Sequence, residues 1–228
     1  MSTFIQIETS THVCSCALSV DGEIVINKES FEGQSHAKLL GIYVEEIMQY
    51  VREKEIRIDA VSVSIGPGSY TGLRIGVSEA KGLSYGLDKP IVAIPTLRLL
   101  ASMVQHQVPK DAYMCPMIDA RRMEVYASVY NSSLEEIVPT SAEIIDENSY
   151  MELLQNHHIY FVGNGAEKCR NVINHPRAHF IEDIHPLAAF MTTLTQQKFE
   201  NNDFVDTAYF EPFYLKEFVV TVAKNKVL

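Results

Sequence analysis

One order of predicted elements occurs twice in this 228-residue chain. In each half, three strands precede a helix, a fourth strand, a Gly-x-Gly turn and a second helix. The two turns are Gly66-Pro67-Gly68 and Gly163-Asn164-Gly165, and the sequences around them are otherwise unlike. A repeated order without repeated sequence predicts two stacked α/β lobes, residues 1–100 and 101–228, with a boundary within residues 95–109.

Hydrophobic periodicity places the elements of both halves. Strands are predicted at residues 4–7, 13–20, 23–29, 60–65 and 91–94, and again at 114–118, 124–131, 136–144, 159–162 and 179–182. Helices are predicted after Ser35 and at residues 69–85, 149–155, 166–173 and 186–199, and the last of them is expected to pack back on the first lobe. Asp21-Gly22 is typical of a hairpin turn, and Ser35 and Ser69 are typical helix N-caps. Two lobes of the βββαβα type are the plan of the actin-like (ASKHA, ribonuclease H-like) fold.

Charge and composition exclude some classes of function. The 19 basic and 29 acidic residues give a net charge of -10, and no Lys/Arg cluster interrupts it. The chain therefore lacks the electrostatic footprint of an independent nucleic-acid binder. The apolar runs are too short for a membrane span, and the sequence starts without a secretory signal pattern. Four scattered cysteines favour buried reduced thiols, so we expect a cytoplasmic protein.

Phosphate binding is the first activity that an actin-like plan suggests. Such folds hold phosphates on hairpin turns where glycine follows an acidic residue, because the missing side chain lets the backbone approach. The equivalent turns here begin at Glu8 and Asp119 and contain no glycine, and Arg121 and Arg122 follow in the second. These arginines either contact an anion across an interface or are solvent-facing strand residues.

The turn at Gly66-Pro67-Gly68-Ser69 precedes a helix, so its amides are placed to receive an anion. It lacks the lysine of a P-loop. We interpret it as a tight strand-to-helix turn.

Metal and nucleophile patterns are incomplete. Helical zinc sites place two histidines four residues apart on one face, but His36 is followed at that spacing by Leu40. His175 and His179 have this spacing, but Pro176 lies between them and predicts a loop. The segment around Ser69 lacks the glycines of a nucleophile elbow. No catalytic, cofactor-binding or metal-ligating residues are predicted.

Long ordered motifs carry a family resemblance. Residues 64–83, SIGPGSYTGLRIGVSEAKGL, closely resemble the signature of the TsaB (YeaZ) family. Further agreement lies at residues 7–11, 35–40, 94–97, 118–126 and 211–215, so the resemblance spans nearly the whole chain. Glu8 departs from the family, which usually has Asp there.

The resemblance implies a non-catalytic, glycoprotease-like subunit in tRNA threonylcarbamoyladenosine biosynthesis. Such a subunit activates a TsaD-like catalytic paralogue, and with a TsaE-like ATPase the pair transfers threonylcarbamoyl to N6 of adenosine 37 in tRNAs that read codons starting with A. It forms a homodimer when the partner is missing, and it meets tRNA only through the complex. The alternatives are a stand-alone metal-dependent glycoprotease-like peptidase or an actin-fold ATP-binding enzyme.

A stripe of small residues predicts where the partner binds. Gly72, Gly76 and Ala80 recur every four residues on one helix, and repeated glycine in a helix is costly unless it permits close packing. The preceding helix offers a broad apolar face. The predicted partner interface comprises Leu40, Tyr43, Val44, Ile47, Gly72, Leu73, Gly76, Ala80 and Leu83. The alternative is that both helices only pack on their own sheet.

Overall fold

The structure is a computed structural model that describes residues 2–33 and 35–215. The part of the predicted second lobe at residues 216–228 lies outside the described residues. The strands are β1 Thr3–Glu8, β2 Cys14–Val20, β3 Glu23–Ser30, β4 Ala60–Gly66, β5 Ile91–Pro95, β6 Tyr113–Asp119, β7 Glu124–Tyr130, β8 Glu136–Ile144, β9 Ile159–Val162 and β10 Ala178–Ile181. The α-helices are α1 His36–Glu53, α2 Tyr70–Leu87, α3 Thr96–Val104, α4 Met151–Leu154, α5 Ala166–Cys169 and α6 Thr192–Glu200.

The ten strands form two five-stranded sheets of one topology. The first has the order β3-β2-β1-β4-β5, and the second has the order β8-β7-β6-β9-β10. In each sheet the first three strands pair antiparallel, and the last two run parallel to the central strand. The predicted α/β fold, with two actin-like lobes of the same plan, is confirmed.

Local sequence explains most of the boundaries. Asp21 and Gly22 both have positive φ, 54° and 89°, as the turn of the β2–β3 hairpin requires. Ser69 caps α2, because its Oγ accepts a bond from the Gly72 amide at 3.2 Å. Ser35 is the N-cap residue of α1, as predicted, but its side chain makes no capping bond. Its hydroxyl donates instead to the Glu32 carbonyl at 2.6 Å.

Helix α3 was not predicted, since residues 95–109 were interpreted as a lobe boundary. It packs against β4 and β5 of the first sheet and β6 and β7 of the second. Five of its apolar side chains are fully buried: Leu97, Leu99, Leu100, Ala101 and Val104. The helix has only nine residues, so its hydrophobic period repeats too few times to stand out in the sequence.

The chain returns to the first lobe after the second sheet. The predicted last helix begins as a 3-10 turn, Ala188–Met191, and continues as α6, which packs on β1 and β5. Val205 then bridges to Ile91 at the edge of β5, and the Phe213 amide donates to the Ile65 carbonyl at 2.7 Å. Residues 204–215 therefore cover part of the first lobe.

None of the helices formed by residues 2–33 and 35–215 combines the length and apolar composition that crossing a bilayer requires.

Candidate functional site

Most of the predicted partner interface is core. Leu40, Val44, Ile47, Leu73 and Ala80 are at most 5% exposed and belong to the interior of this chain. Gly72 and Gly76 are buried as well. Only Tyr43 and Leu83, of the nine residues, are partly exposed. The seven buried residues cannot contact a partner in this conformation, and their assignment to the interface is corrected.

The glycines of α2 make room for the β1–β2 turn. A Cβ at Gly72 would overlap the Thr9 carbonyl oxygen, and a Cβ at Gly76 would overlap Thr9 Oγ1. Thr9 Oγ1 donates to the Gly72 carbonyl at 2.8 Å, which fixes this approach. Close packing is therefore the reason for the stripe, but the element that approaches belongs to the same chain.

A second glycine pair on α2 faces outward. A Cβ at Gly82 or Gly86 would meet no atom within 4 Å. These glycines line a shallow groove of about 340 Å³ between α1 and α2, together with Met48, Ser78, Glu79, Leu83 and Leu87. Two exposed apolar side chains lie on the same helices, Ile42 at 44% and Tyr85 at 87% exposure. We name these nine residues the α1–α2 outer face.

Sequence reasoning missed most of this face. The signal was the i, i+4 repeat of Gly82 and Gly86, which parallels the repeat of Gly72 and Gly76 one stripe away. Periodicity alone does not say which stripe the sheet covers. That choice depends on the β1–β2 turn, whose Thr9 precedes Gly72 by 63 residues in the chain.

Glu8, at the end of β1, is turned into the protein. Its side chain is fully buried, and Oε1 accepts a bond from the Ser10 amide at 2.5 Å. Its other oxygen, Oε2, and the nearby hydroxyls of Ser10 and Ser64 are buried without a described hydrogen-bond partner. Burial raises the pKa of this carboxyl above its usual range, partly opposed by the hydrogen bond from the Ser10 amide. A carboxyl group that is fully buried and turned away from solvent is not placed to meet a metal-bound phosphate.

The Gly66–Ser69 loop is closed over the same turn. The Ser69 amide donates to the Ser10 carbonyl at 2.7 Å, and a Cβ at Gly68 would overlap that carbonyl oxygen. This amide was a candidate anion donor. It is already bound by the chain's own backbone, which confirms the interpretation as a tight strand-to-helix turn.

The histidines that spacing singled out have other contacts. His36 Nε2 lies 3.1 Å from the Val13 carbonyl, and Leu40, one turn later, is 1% exposed. His179 lies on β10, where its Nε2 is 2.7 Å from His158 Nδ1, and His175 Nδ1 accepts a bond from the Arg177 amide. Within residues 2–33 and 35–215, no three His, Cys, Asp or Glu side chains converge as metal ligands would.

The four cysteines are free thiols and are all buried. Burial raises the pKa of Cys14 to about 11 and raises that of Cys115 further. A thiol reacts as its thiolate, so these cysteines are poor nucleophiles.

The second-lobe turn is open, in contrast to the first. Arg121 and Arg122 lie in the loop between β6 and β7, outside both strands, and both are exposed. Neither is a strand residue, which corrects that part of the sequence interpretation. Asp119 pairs with Lys168, whose ammonium group also donates to the Arg122 and Glu124 carbonyls at 2.7 Å.

Comparison with known proteins identifies the family of this chain. The family model described as "TsaD: tRNA N6-adenosine threonylcarbamoyltransferase" matches residues 29–228. The chain belongs to the TsaD family. Its match to one transferase of that name, from Clostridium kluyveri, is 26% identical over 132 residues and covers 50% of this TsaD-family chain but 39% of the transferase.

The resemblance to TsaB covers much more of this TsaD-family chain. It is 27% identical over 225 residues to the "tRNA threonylcarbamoyladenosine biosynthesis protein TsaB" of Haemophilus influenzae, covering 94% of this chain and 93% of that protein. The protein of the same name from Bacillus subtilis is 28% identical, over 85% of this chain and 81% of its own. The predicted resemblance to the TsaB (YeaZ) family is confirmed.

The fold has solved counterparts. A Pseudomonas aeruginosa structure described as similar to peptidase YEAZ superposes with a TM-score of 0.81, at 23% identity, over 95% of this chain and 100% of that one. YeaZ from the same organism gives 0.78, at 24% identity, over 94% and 100%. These two structures share the fold of this TsaD-family chain.

Proposed function

We propose that this chain is the TsaB-type subunit of the machinery that transfers threonylcarbamoyl to N6 of adenosine 37 in tRNAs reading codons that start with A. It activates a TsaD-like catalytic subunit and carries out no chemistry itself. The proteins that it matches over most of their length are named for tRNA threonylcarbamoyladenosine biosynthesis, which supports the pathway.

One observation supports the non-catalytic role most directly: the phosphate-binding turn of the first lobe is filled by the chain itself. Thr9 packs on Gly72, the Ser10 carbonyl accepts a hydrogen bond from the Ser69 amide, and Glu8 is buried. A phosphate at this turn would have to displace backbone hydrogen bonds inside a packed interior. The same packing, and the buried Leu40, argue against a stand-alone peptidase or ATP-binding enzyme.

The α1–α2 outer face is the proposed contact with the TsaD-like subunit. The groove is lined in part by Met48, Leu83 and Leu87, and the same two helices expose Ile42 and Tyr85. Apolar surface of this kind is costly to leave in water and is typical of a protein interface. Glycines at the floor of the groove let a partner helix approach the α2 backbone. In the absence of that subunit, the same face joins two copies of this chain, and the TsaE-like ATPase binds the assembled pair. tRNA meets this chain only within the complex.

The proposed location is the cytoplasm. Four free, buried cysteines suit a reducing compartment, where disulfides are rare.

Reconstitution tests the function. Purified TsaD-like and TsaE-like subunits, ATP, a threonylcarbamoyl donor and an unmodified tRNA that reads A-starting codons are combined with and without this chain, and threonylcarbamoyladenosine is measured by nucleoside mass spectrometry. We expect product to depend on this chain. Equal product in both reactions would refute the activating role. Product or ATP hydrolysis from this chain alone would refute the non-catalytic role.

A further inference from the structure

The loop between β6 and β7 holds an unusual pair of residues. Arg121 and Arg122 are the only consecutive basic residues in this chain of net charge -10. Both have left-handed backbone angles, with φ of 73° and 51°, and both side chains are exposed. Asparagine and glycine adopt this conformation more readily than a long side chain does. Two arginines here are a costly choice for a simple turn.

Neighbouring groups hold the backbone of the loop. The Arg121 amide donates to Asp119 Oδ1 at 2.9 Å, and the Ala120 and Glu124 amides close the loop with backbone bonds. Lys168 Nζ binds the Asp119 carboxylate and the carbonyl oxygens of Arg122 and Glu124. The Lys168–Asp119 pair therefore has no net charge, and the position of the two arginines is fixed.

Both guanidinium groups lack a partner among residues 2–33 and 35–215. Arg170, in contrast, pairs with Glu182, Arg74 donates to the Tyr70 hydroxyl, and Arg177 donates to backbone carbonyls. Two adjacent guanidinium groups on a fixed loop offer donors in the fork geometry that matches phosphate oxygens.

The loop lies where sheets of this kind bind ligands. It follows the carboxyl end of β6, beside the carboxyl end of the parallel strand β9. Asn164, just after β9, ties the two ends together by accepting a bond from the Asp119 amide at 3.0 Å. From β6 the chain continues to β7 on one side, while β9 lies on the other, which makes this edge a topological switch point.

We propose that the Arg121–Arg122 loop is a phosphate-contact site. The phosphate oxygens that it binds belong to an RNA backbone. The proposal rests on the function proposed above, because that function brings tRNA to the complex. Two arginines on an acidic chain do not hold RNA alone. Within a complex they add one or two phosphate contacts to those of the catalytic subunit.

The test compares two double variants in the reconstituted complex. Arg121→Asn with Arg122→Asn removes both charges and introduces a residue that tolerates left-handed angles, so this variant should fold at least as well as the wild type. Arg57→Gln with Lys110→Gln removes two positive charges from other exposed positions and is the matched control. Binding of fluorescein-labelled tRNA is measured over a range of NaCl concentrations.

We expect the Asn variant to bind tRNA several-fold more weakly at low salt. The slope of log Kobs against log salt should fall in magnitude by about 0.7 to 0.9 for each lost contact. The control variant should keep the wild-type slope. A second arm measures ADP binding to the same complexes by equilibrium dialysis. A loss confined to ADP would also support a phosphate site and would assign it to a nucleotide.

Two results would overturn the phosphate site: unchanged binding in both arms, or weaker association of the two protein subunits with tRNA and ADP binding otherwise intact. Failure of the proposed function is recognised separately, because product then does not depend on this chain. In that case thermal melting of the isolated chain with inorganic tripolyphosphate decides the site. Binding stabilises the wild type and the control but not the Asn variant if the site exists, and an equal response in all three overturns it.

Discussion

Glu8 shows how one residue changes what a turn can do. A carboxylate at the end of the first strand is expected to face solvent and a metal-bound phosphate, yet this one is fully buried. The sequence shows that residue 8 is a glutamate, but it does not show that the side chain points into the protein. Direction depends on Ser64 of β4 and on the loop that closes over Ser10, and both are tertiary contacts.

The buried acid predicts how stability responds to pH. Because the folded-state pKa of Glu8 is raised above 4.5, the folded chain binds this proton more tightly than the unfolded chain does. The stabilisation that comes from this tighter proton binding is fully present below about pH 4.5 and is lost as pH rises through the folded-state pKa of Glu8. Glu8→Gln, a neutral side chain of the same shape, should not lose it. As pH rises, the free energy of unfolding of the variant should therefore increase relative to that of the wild type. The increase is about 1.4 kcal/mol for each unit by which folding raises the pKa of Glu8.

Urea unfolding of both proteins between pH 4 and pH 9 measures this difference. Glu55→Gln, at an exposed carboxylate, is the control and should follow the wild-type profile. Parallel profiles for Glu8→Gln and the wild type would show that Glu8 is ionised in the fold.

At the scale of elements, α2 presents two glycine stripes with opposite roles. Gly72 and Gly76 admit the Thr9 turn, whereas Gly82 and Gly86 face open space. Sequence periodicity identified the helix and its glycines correctly and then assigned the first stripe to the partner. The error arose because a helix with apolar residues on several sides does not reveal which face its own sheet occupies.

Alanine substitutions should separate the two stripes. Gly76→Ala should lower the free energy of unfolding by roughly 1 to 3 kcal/mol, because the new methyl group overlaps Thr9. Gly82→Ala should raise it by about 0.5 to 1 kcal/mol, since alanine is the better helix former and nothing obstructs it. Denaturant unfolding of the isolated chain measures both. A stable Gly76→Ala chain would contradict the packing of α2 on the turn.

The α1–α2 outer face gives a different prediction. Leu83→Glu places a charge in the groove and should weaken association with the TsaD-like subunit by roughly tenfold or more, about 1.4 kcal/mol. Its effect on folding should be small, because Leu83 is partly exposed. Sedimentation of mixtures measures the association. Ile137→Glu, at a 41% exposed position on β8, is the matched control and should associate normally.

At the scale of the molecule, the two lobes share a topology and an interior. The repeated strand order was predictable because it depends on local periodicity and turn residues. The interior between the sheets was less predictable, since α3 has only nine residues and its hydrophobic period repeats too few times to be recognised. The prediction of lobes at 1–100 and 101–228 remains a proposal. Contacts of α6 with β1 and β5 show that the later part of the chain also contributes to the first lobe.

The contact between α6 and the first sheet should couple the two lobes. Phe199 meets Phe4 edge to face, with ring centroids 5.4 Å apart. Phe199→Ala should lower the free energy of unfolding by roughly 2 to 4 kcal/mol. Unfolding is followed by far-ultraviolet circular dichroism and by hydrogen exchange of β1 and β6 amides. Equal loss of protection in both sheets is expected, and loss confined to one sheet would show that the lobes unfold independently.

The return of residues 204–215 to the first lobe has a consequence for synthesis. Val205 completes the edge of β5, and Phe213 closes the loop after β4, so two parts of the first sheet wait for residues translated more than a hundred codons later. A nascent chain that ends after the second sheet still exposes that edge. The ribosome must therefore release the chain through Phe213 before β4 and β5 reach their final hydrogen bonding.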